Sequence, residues 1–186
     1  MEFSKVVKSR RSIRAYKNTL VADEDIKRLL EYAHTAPTAG NLVPWEFVIV
    51  KDEGIRRKMV DTTFRGNNID GDKHQEWLMQ APVLIAIAAD KEKSVKKYGE
   101  MALKTLIYLD CSACIQNILL GAVDMGLASC YISGFRGEEL RDVLGFDDGH
   151  EIIAFLPIGY GDMDGIARPK CTLESITYYD KYTKHE

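Results

Sequence analysis

Residues 9–16, called here the basic segment, carry the side chains with the clearest chemical potential. They read Ser-Arg-Arg-Ser-Ile-Arg-Ala-Tyr, so three arginines and two serines lie within six positions. A guanidinium presents a planar fork of donors that suits phosphate, and hydroxyl and backbone N–H groups complete such a site. A basic run is also typical of a solvated helix end, so this segment alone favours an ordinary surface.

The overall charge of the protein limits what the basic segment could bind. The 186 residues include 25 Lys and Arg against 28 Asp and Glu, which gives a formal net charge of −3. Domains that bind nucleic acid normally carry a basic balance. We therefore predict a small anionic ligand rather than a polyanion, and no nucleic-acid partner.

Cysteine usage and hydropathy predict a cytoplasmic protein. Four cysteines in a chain of this length do not form the dense pattern of a secreted disulfide framework. Residues 1–5 contain no apolar leader segment. The uncharged, apolar stretch at residues 111–123 is too short to span a bilayer. We expect one domain over residues 1–186 with no membrane association.

Helical and strand patterns alternate along the chain and predict an α/β or α+β fold. Apolar spacing predicts a first helix that ends near Ser9, a second whose first turn is the acidic run 23–25, and one long helix over residues 101–126. The polar, glycine-rich run at 65–75 predicts a loop or lid. Short apolar runs predict four strands, at residues 45–50, 82–89, 128–132 and 151–156.

Other motifs suit a structural role better than a chemical one. Cys111 and Cys114 form a C-x-x-C pair, but they lie in the middle of an apolar helix, where burial raises the pKa of a thiol. The Gly-Tyr-Gly run at 159–161 lacks the third glycine and the following helix of a dinucleotide-binding loop. The four histidines show no ligand spacing. We predict no metal site and no catalytic nucleophile.

Four separated segments, taken in order, resemble the FMN-dependent nitroreductase family over nearly the whole chain. They are the basic segment, the turn-rich run at 36–45, residues 131–135, and residues 157–161 with Arg168 beyond them. The resemblance implies an α+β, nitroreductase-like fold with a central, mostly antiparallel sheet flanked by helices. It also implies a homodimer with the long helix at its core and with the tail, residues 172–186, reaching over the partner subunit.

The same resemblance implies that FMN binds at the subunit interface. Arg10, Ser12 and Arg168 would hold its phosphate, and Arg11 would contribute through its backbone or toward the ribityl chain. Arg14 matches a basic position near the pyrimidine edge of the flavin, where a cation stabilises the anionic reduced form.

Two further groups of matching positions complete the implied site. One group comes from the partner subunit and borders the flavin, and the other lies near its reactive edge, with an amide facing the ring. The sequence departs from the family at Tyr131 and Ser133, where relatives often carry proline and glutamate, and at Ile166, where a basic residue is common. The matching positions are Pro37, Thr38, Ala39 and Asn41 in the first group, and Gln75, Tyr131, Ile132, Ser133 and Gly134 in the second.

The reaction implied by the resemblance is a ping-pong transfer. NADH or NADPH gives a hydride to the flavin, and a small-molecule acceptor such as a nitroaromatic or a quinone then takes two electrons. Because the cofactor carries the chemistry, no catalytic side chain is predicted. Alternatives on the same fold are flavin fragmentation, reductive dehalogenation and substrate oxidation, with specificity in the 65–75 loop. A non-enzymatic flavin-binding protein is a further alternative.

Overall fold

The centre of the fold is a four-stranded sheet. In the computed structural model, which describes residues 1–182, the strand order is β1-β2-β4-β3 and every adjacent pair is antiparallel. The predicted antiparallel α+β sheet is therefore confirmed. The strands are β1 (Trp45–Val50), β2 (Val83–Asp90), β3 (Ala128–Ser129) and β4 (His150–Gly159).

Helices cover both faces of this sheet. Within the described part of the chain there are seven α-helices, together with short 3-10 turns at Ala39–Asn41, Glu76–Gln80 and Glu174–Ile176. The helices are α1 (Phe3–Ser9), α2 (Asp23–His34), α3 (Glu53–Asp61), α4 (Lys91–Tyr98), α5 (Met101–Lys104), α6 (Leu106–Asp124) and α7 (Gly137–Leu144).

The central strand β2 divides the interior into two hydrophobic clusters. Successive side chains of a strand point to opposite faces. Ile85 and Ile87 accordingly belong to the cluster beneath α2 and α6, whereas Leu84 and Ala86 belong to the cluster beneath α3 and α7. Both faces are buried, as the continuous apolar run of this strand requires.

Close approach of α2 and α6 fixes the larger cluster. A Cβ added at Gly121 would lie 2.5 Å from a ring carbon of Tyr32, so only glycine permits this spacing. The side-chain amide of Asn117 donates to the backbone oxygen of Tyr32 at 3.0 Å. These contacts hold α6 firmly across one face of the sheet.

Two predicted elements differ from the structure. The helix predicted over residues 101–126 is broken at Thr105, whose φ of −140° leaves the helical region and whose hydroxyl donates to the carbonyl of Met101. Threonine hydroxyls compete with backbone donors in this way. The third strand was predicted over 128–132, but it ends at Ser129, and only an isolated bridge at Ile132 pairs again with β4.

The composition of α6 leaves the membrane prediction open. The helix has 19 mostly apolar residues, so by length and composition alone it could cross a membrane. The prediction that residues 111–123 are too short to span a membrane was wrong for the helix as a whole. The helix begins at Leu106 and includes Asp110, so it is longer than the uncharged stretch. Half of its most apolar stretch is buried inside the protein, as expected of a core helix. The absence of membrane association stays a prediction.

The tail beyond Gly161 has little regular structure. It runs along the surface to residue 182, with one 3-10 turn at Glu174–Ile176. Its apolar side chains are exposed, and Tyr179 is the extreme case at 87%. The last four residues of the predicted partner-reaching tail, 183–186, lie outside the described residues.

Candidate cofactor-binding site

The basic segment begins where α1 ends. The N–H of Arg10 donates to the carbonyl of Val6 at 3.1 Å and closes the last turn. The guanidinium of Arg11 donates to the carbonyls of Lys8 at 2.6 Å and of Arg10 at 2.8 Å. A cation satisfying terminal carbonyls is favourable at the negative end of a helix. Arg11 therefore ends the helix with its side chain.

Beyond α1 the basic segment is extended and lies along β3. The N–H of Ile13 donates to the carbonyl of Ser129 at 3.1 Å. In an extended chain, alternate side chains share one side. Arg10, Ser12 and Arg14 accordingly line the same cavity, Ile13 lines a neighbouring one, and Arg11, whose side chain turns back to the end of α1, borders both. The spacing i, i+2, i+4 is the sequence signal for this grouping.

This cavity, called here the cation cavity, has a volume of about 630 Å³. That volume lies within the range of about 300–1,000 Å³ that is usual for small-molecule sites. None of the described residues that line it is acidic, so its walls favour an anion. The lining residues are Arg10, Arg11, Ser12, Arg14, Met163, Ile166, Ala167, Arg168 and Lys170.

The far end of the chain supplies two of the cations. Arg168 and Lys170 are both exposed, and within the described residues neither forms an ion pair. Ile166 stands where a basic residue is common in the family. Lys170, two positions after Arg168, was not among the predicted site residues. The two-residue spacing in an extended segment was the signal that could have identified it.

Cys130, at the end of β3, is a buried residue beside the basic segment. Burial raises the pKa of its thiol, and this shift is opposed by the charge of Arg14, a hydrogen bond with Ser12 and the charge of Arg10. The hydrogen bond from the N–H of Ile13 to the carbonyl of Ser129 places this thiol beside the basic segment. The structure thus brings the end of β3 and the basic segment together.

Arg14 also contacts an aromatic pair that the sequence analysis did not identify. Its guanidinium carbon lies 5.9 Å from the ring centre of Trp77, which is a cation–π distance. Trp77 in turn stacks on Tyr16, with ring centres 6.4 Å apart and planes within 11°. Burial raises the pKa of Tyr16, whose hydroxyl donates to the carbonyl of Ile13 at 2.9 Å. The contact with the Trp77 ring restricts the side chain of Arg14.

Ser133 and Gly134, called here the 133–134 turn, have no regular structure and connect the bridge at Ile132 to a second bridge at Phe135. Ile132 and Phe155 exchange two backbone hydrogen bonds of 3.1 Å each. The carbonyl of Gly134 accepts from the N–H of Phe64, also at 3.1 Å. In the described structure, the N–H groups of Ser133 and Gly134 donate to no protein acceptor, so two donors of this turn are free for a ligand.

Tyr131, which precedes the turn, is directed toward α6. Its side chain is 38% exposed, and burial of the remainder raises the pKa of the phenol. A hydrogen bond with Ser112 opposes that shift. The position where the family often has proline therefore carries a half-buried phenol near α6.

Gln75 lies beside the 133–134 turn, and a contact of its amide with the flavin ring stays a prediction. Its backbone N–H donates to the hydroxyl of Thr63 at 2.8 Å. Its side-chain nitrogen lies 3.3 Å from the carbonyl oxygen of Phe64 and 3.4 Å from that of Gly134. The amide thus contacts protein backbone in this chain.

The turn-rich run is not part of the cation cavity of its own chain. Its backbone is fixed from α6, because a carboxylate oxygen of Asp110 accepts the N–H of Ala39 at 3.0 Å. The other oxygen, Oδ2, is buried with no hydrogen-bond partner within the described residues. Asn41 has a φ of +57°, which asparagine tolerates better than most residues. A role for Pro37, Thr38, Ala39 and Asn41 in a partner's site stays a prediction.

The interpretation of the C-x-x-C pair as core residues is confirmed. Cys111 and Cys114 are fully buried in α6, and burial raises the pKa of both thiols, that of Cys111 to about 12. In the described part of the chain, no group of three or more His, Cys, Asp or Glu side chains is placed to hold a metal ion.

Comparison with known proteins agrees with this architecture. The model of the Nitroreductase family matches residues 7–160. A protein of Archaeoglobus fulgidus, provisionally named an NADH dehydrogenase/NAD(P)H nitroreductase, is 33% identical over 163 residues, covering 86% of this chain and 85% of that protein. Iodotyrosine deiodinase 1 of Mus musculus is 29% identical over 187 residues, covering 88% of this chain and 63% of that protein.

A solved structure gives the same result. An FMN-dependent nitroreductase from Clostridium difficile superposes with a TM-score of 0.78 at 26% identity, covering 96% of this chain and 99% of that one. The family match extends over far more than half of the residues, and the archaeal relative is similar over most of both chains. The chain therefore belongs to the nitroreductase family.

Proposed function

We propose that the protein is an FMN-dependent oxidoreductase that uses NADH or NADPH to reduce a small-molecule acceptor, such as a nitroaromatic or a quinone, in a ping-pong sequence. The observation that carries this proposal is the convergence of Arg10, Ser12 and Arg168 on one cavity. The names of the archaeal relative and of the Clostridium difficile structure support the same class of reaction.

The residues of the cation cavity fit the phosphate of FMN. A phosphate monoester is a dianion at neutral pH, and guanidinium groups with a hydroxyl are its usual partners. Arg10 and Arg168 supply the forks, Ser12 supplies the hydroxyl, and Lys170 adds a point charge. Within the described residues these cations form no ion pairs, so they need not release a carboxylate before binding an anion.

The remaining groups would orient the flavin. Arg14, restricted by Trp77, would present a cation, and the free N–H groups of Ser133 and Gly134 would donate hydrogen bonds. FMN supplies the redox chemistry when bound, by accepting a hydride and passing two electrons on. The protein's part is therefore to bind and orient, and no side chain acts as a nucleophile.

A homodimer completes this proposal. Leu109 on α6 is 64% exposed and Leu173 in the tail is 73% exposed, so a core helix and the tail both present apolar surface. Large exposed apolar patches mark interaction sites. We expect a particle of twice the chain mass of 21.0 kDa by size exclusion with light scattering. A monomeric particle that binds FMN would contradict a site shared between subunits.

The test of the proposed function is direct. The purified protein is analysed for bound flavin, then mixed anaerobically with NADH or NADPH while the flavin absorbance is followed. We expect bleaching by at least one donor and recovery of absorbance after addition of a nitroaromatic or a quinone. A protein that neither contains FMN nor binds added FMN would overturn the proposal.

A second candidate is reductive dehalogenation, which the similarity to iodotyrosine deiodinase 1 favours. In that reaction, two electrons and a proton convert an aryl carbon–iodine bond to carbon–hydrogen, and iodide leaves. Incubation with an iodotyrosine and dithionite, with iodide as the readout, tests it. Iodide release far above that of free FMN would favour this candidate, and turnover of nitroaromatics alone would favour the first.

A further inference from the structure

The side-chain amide of Gln75 joins two backbone segments. Its nitrogen carries two protons and lies between two carbonyl oxygens, those of Phe64 at 3.3 Å and Gly134 at 3.4 Å. The N–H of Phe64 also donates to the Gly134 carbonyl. A carbonyl oxygen has two lone pairs, so that of Gly134 is fully used by protein donors.

These two segments form a small antiparallel pair, called here the bridge pair, of residues 62–64 and 134–136. Thr63 faces Phe135 in a bridge, and the N–H of Arg136 donates to the carbonyl of Thr62 at 2.9 Å. The hydroxyl of Thr63, a buried residue, accepts the backbone N–H of Gln75. Gln75 is therefore fixed to one member of the pair and donates across to the other.

The loop before Gln75 is attached to the same bridge pair. The Nδ1 atom of His74 lies 2.8 Å from the carbonyl oxygen of Thr63. The guanidinium of Arg136 donates to the carbonyl of Ile69 at 3.2 Å and to that of Asp61 at 2.6 Å. The 65–75 loop and the 133–134 turn thus share one support.

We propose that Gln75 is a positioning residue, whose amide fixes the Gly134 carbonyl and so aims the free N–H groups of Ser133 and Gly134 at the ligand. This role rests on the proposed function, since it concerns the same site. It differs from the contact with the flavin ring that the family resemblance implies, because both amide protons face backbone carbonyls.

A consequence of this arrangement is coupling between loop and turn. The bridge at Ile132 fixes the chain on one side of the turn, and the hydrogen-bonded carbonyl of Gly134 fixes it on the other, so the peptide groups between them are restrained. Any substrate that displaces the 65–75 loop pulls on Gln75 and thereby on the turn. The loop would then influence flavin binding without contacting the flavin.

Amide hydrogen exchange in the flavin-free protein tests the proposal independently of FMN. The reporters are the N–H groups of Phe64 and Arg136, which donate within the bridge pair. Gln75→Glu removes the donors and places an acceptor against two carbonyls, and Gln75→Leu removes them at similar size. Asn67→Asp is the matched control, because Asn67 lies exposed in the same loop without a hydrogen bond in the described structure.

We expect both reporter amides to exchange about tenfold faster in both Gln75 variants. This factor corresponds to the free energy contributed by one or two neutral hydrogen bonds. The N–H of Ala86 in β2 should exchange at an unchanged rate in the Gln75 variants. The two reporter amides should exchange in the Asn67→Asp protein as they do in the unmodified protein. Unchanged exchange at the reporters would overturn the proposal, and so would equal acceleration at Ala86, which indicates global destabilisation.

Affinity for FMN provides the second readout. We expect the Gln75 variants to bind FMN about tenfold more weakly, through the same lost hydrogen bonds. Weaker binding with unchanged exchange would assign Gln75 to direct contact and overturn the positioning role. If the unmodified protein binds no FMN, the proposed function fails, while the exchange result still decides whether Gln75 fixes the bridge pair.

Discussion

The cation cavity and the 133–134 turn are built from different parts of the polypeptide. The cavity is lined by charged side chains from the two ends of the chain, and in the described structure Arg10, Arg168 and Lys170 make no ion pairs. The turn offers the backbone N–H groups of Ser133 and Gly134, and the carbonyl of Gly134 accepts two hydrogen bonds. One region depends on charge, and the other depends on the direction of peptide planes.

This difference predicts two kinds of sensitivity. Charged side chains act over several ångströms and are weakened by salt. Backbone donors act only at hydrogen-bond distance and in line, so they tolerate salt but not displacement. Variants that remove charge and variants that shift backbone should therefore separate the two regions.

The largest effect is expected when a charge is removed from the cation cavity. Arg10→Ala and Arg168→Ala should each weaken FMN binding roughly 10- to 100-fold, because a hydrogen bond to a charged group contributes about 1.5–3 kcal/mol. Quenching of flavin fluorescence on binding gives the dissociation constant. Lys5→Ala, which removes an exposed cation outside the cavity, is the control and should change little. Unchanged affinity in both arginine variants would place the phosphate elsewhere.

A backbone displacement should have the next largest effect. A methyl group at Gly165 would overlap Cβ of Arg11, whose guanidinium is fixed on the end of α1. Gly165→Ala should therefore destabilise the fold by about 1–3 kcal/mol, as overpacking does. Displacement of the following residues, including Arg168, should also weaken FMN binding.

The matched control for Gly165 is Gly137→Ala. A Cβ there meets nothing within 4 Å, and the residue begins α7, where alanine suits a helix better than glycine. Urea unfolding compares the two variants. Equal stability of Gly165→Ala and the unmodified protein would show that the segment around 165 moves aside freely.

A loss of stability of similar size, without displacement of Arg168, is expected at Asp110, which holds the turn-rich run. Asp110→Ala leaves the N–H of Ala39 without its acceptor and should cost about 1–3 kcal/mol of unfolding free energy. Asp110→Asn keeps an acceptor and removes a buried charge with an unpartnered oxygen, so it should cost less than about 1 kcal/mol. Equal losses in the two variants would mean that the charge, not the hydrogen bond, is what matters.

The smallest effect is expected from the buried thiols. Below pH 9 a thiol reagent should label only the exposed Cys171, because three cysteines are buried. The folded pKa of Cys111 is raised to about 12, so the unfolded chain loses this proton first, and its stabilising contribution falls as pH rises from 9 toward 12. Thiol counting before and after unfolding checks the labelling. Rapid labelling of a second cysteine in the folded protein would contradict the burial.

Charge and the periodicity of apolar residues can be read directly from the sequence, and the features that depend on them were predicted well. Strand β1 was predicted with the bounds that the structure has, and the basic segment and Arg168 do meet in one cavity. The break at Thr105 was missed because apolar spacing continues through it. Lys170 was missed although its two-residue spacing from Arg168 is visible in the sequence. Trp77, in the 3-10 turn at Glu76–Gln80, was missed because its contact with Arg14 depends on the fold.

The direction of a side-chain amide cannot be deduced from sequence at all. Gln75 was assigned to the site through the family resemblance, but the sequence does not show that its two donors face the carbonyls of Phe64 and Gly134. That depends on the bridge pair, whose members are separated by about seventy residues of chain. Long-range pairing of two short, irregular segments leaves no periodic pattern.

The extended course of the basic segment has a consequence for solubility. Unpaired strand edges invite pairing with other chains and so promote aggregation. Here the backbone N–H of Ile13 donates to the carbonyl of Ser129 in β3. Beyond the end of β4, the N–H of Lys17 donates to the carbonyl of Tyr160, and the N–H of Asp162 donates to the carbonyl of Ala15. The residues that line the cation cavity thus also shield one margin of the sheet. Ligand recognition and resistance to edge-to-edge assembly depend on the same short piece of chain.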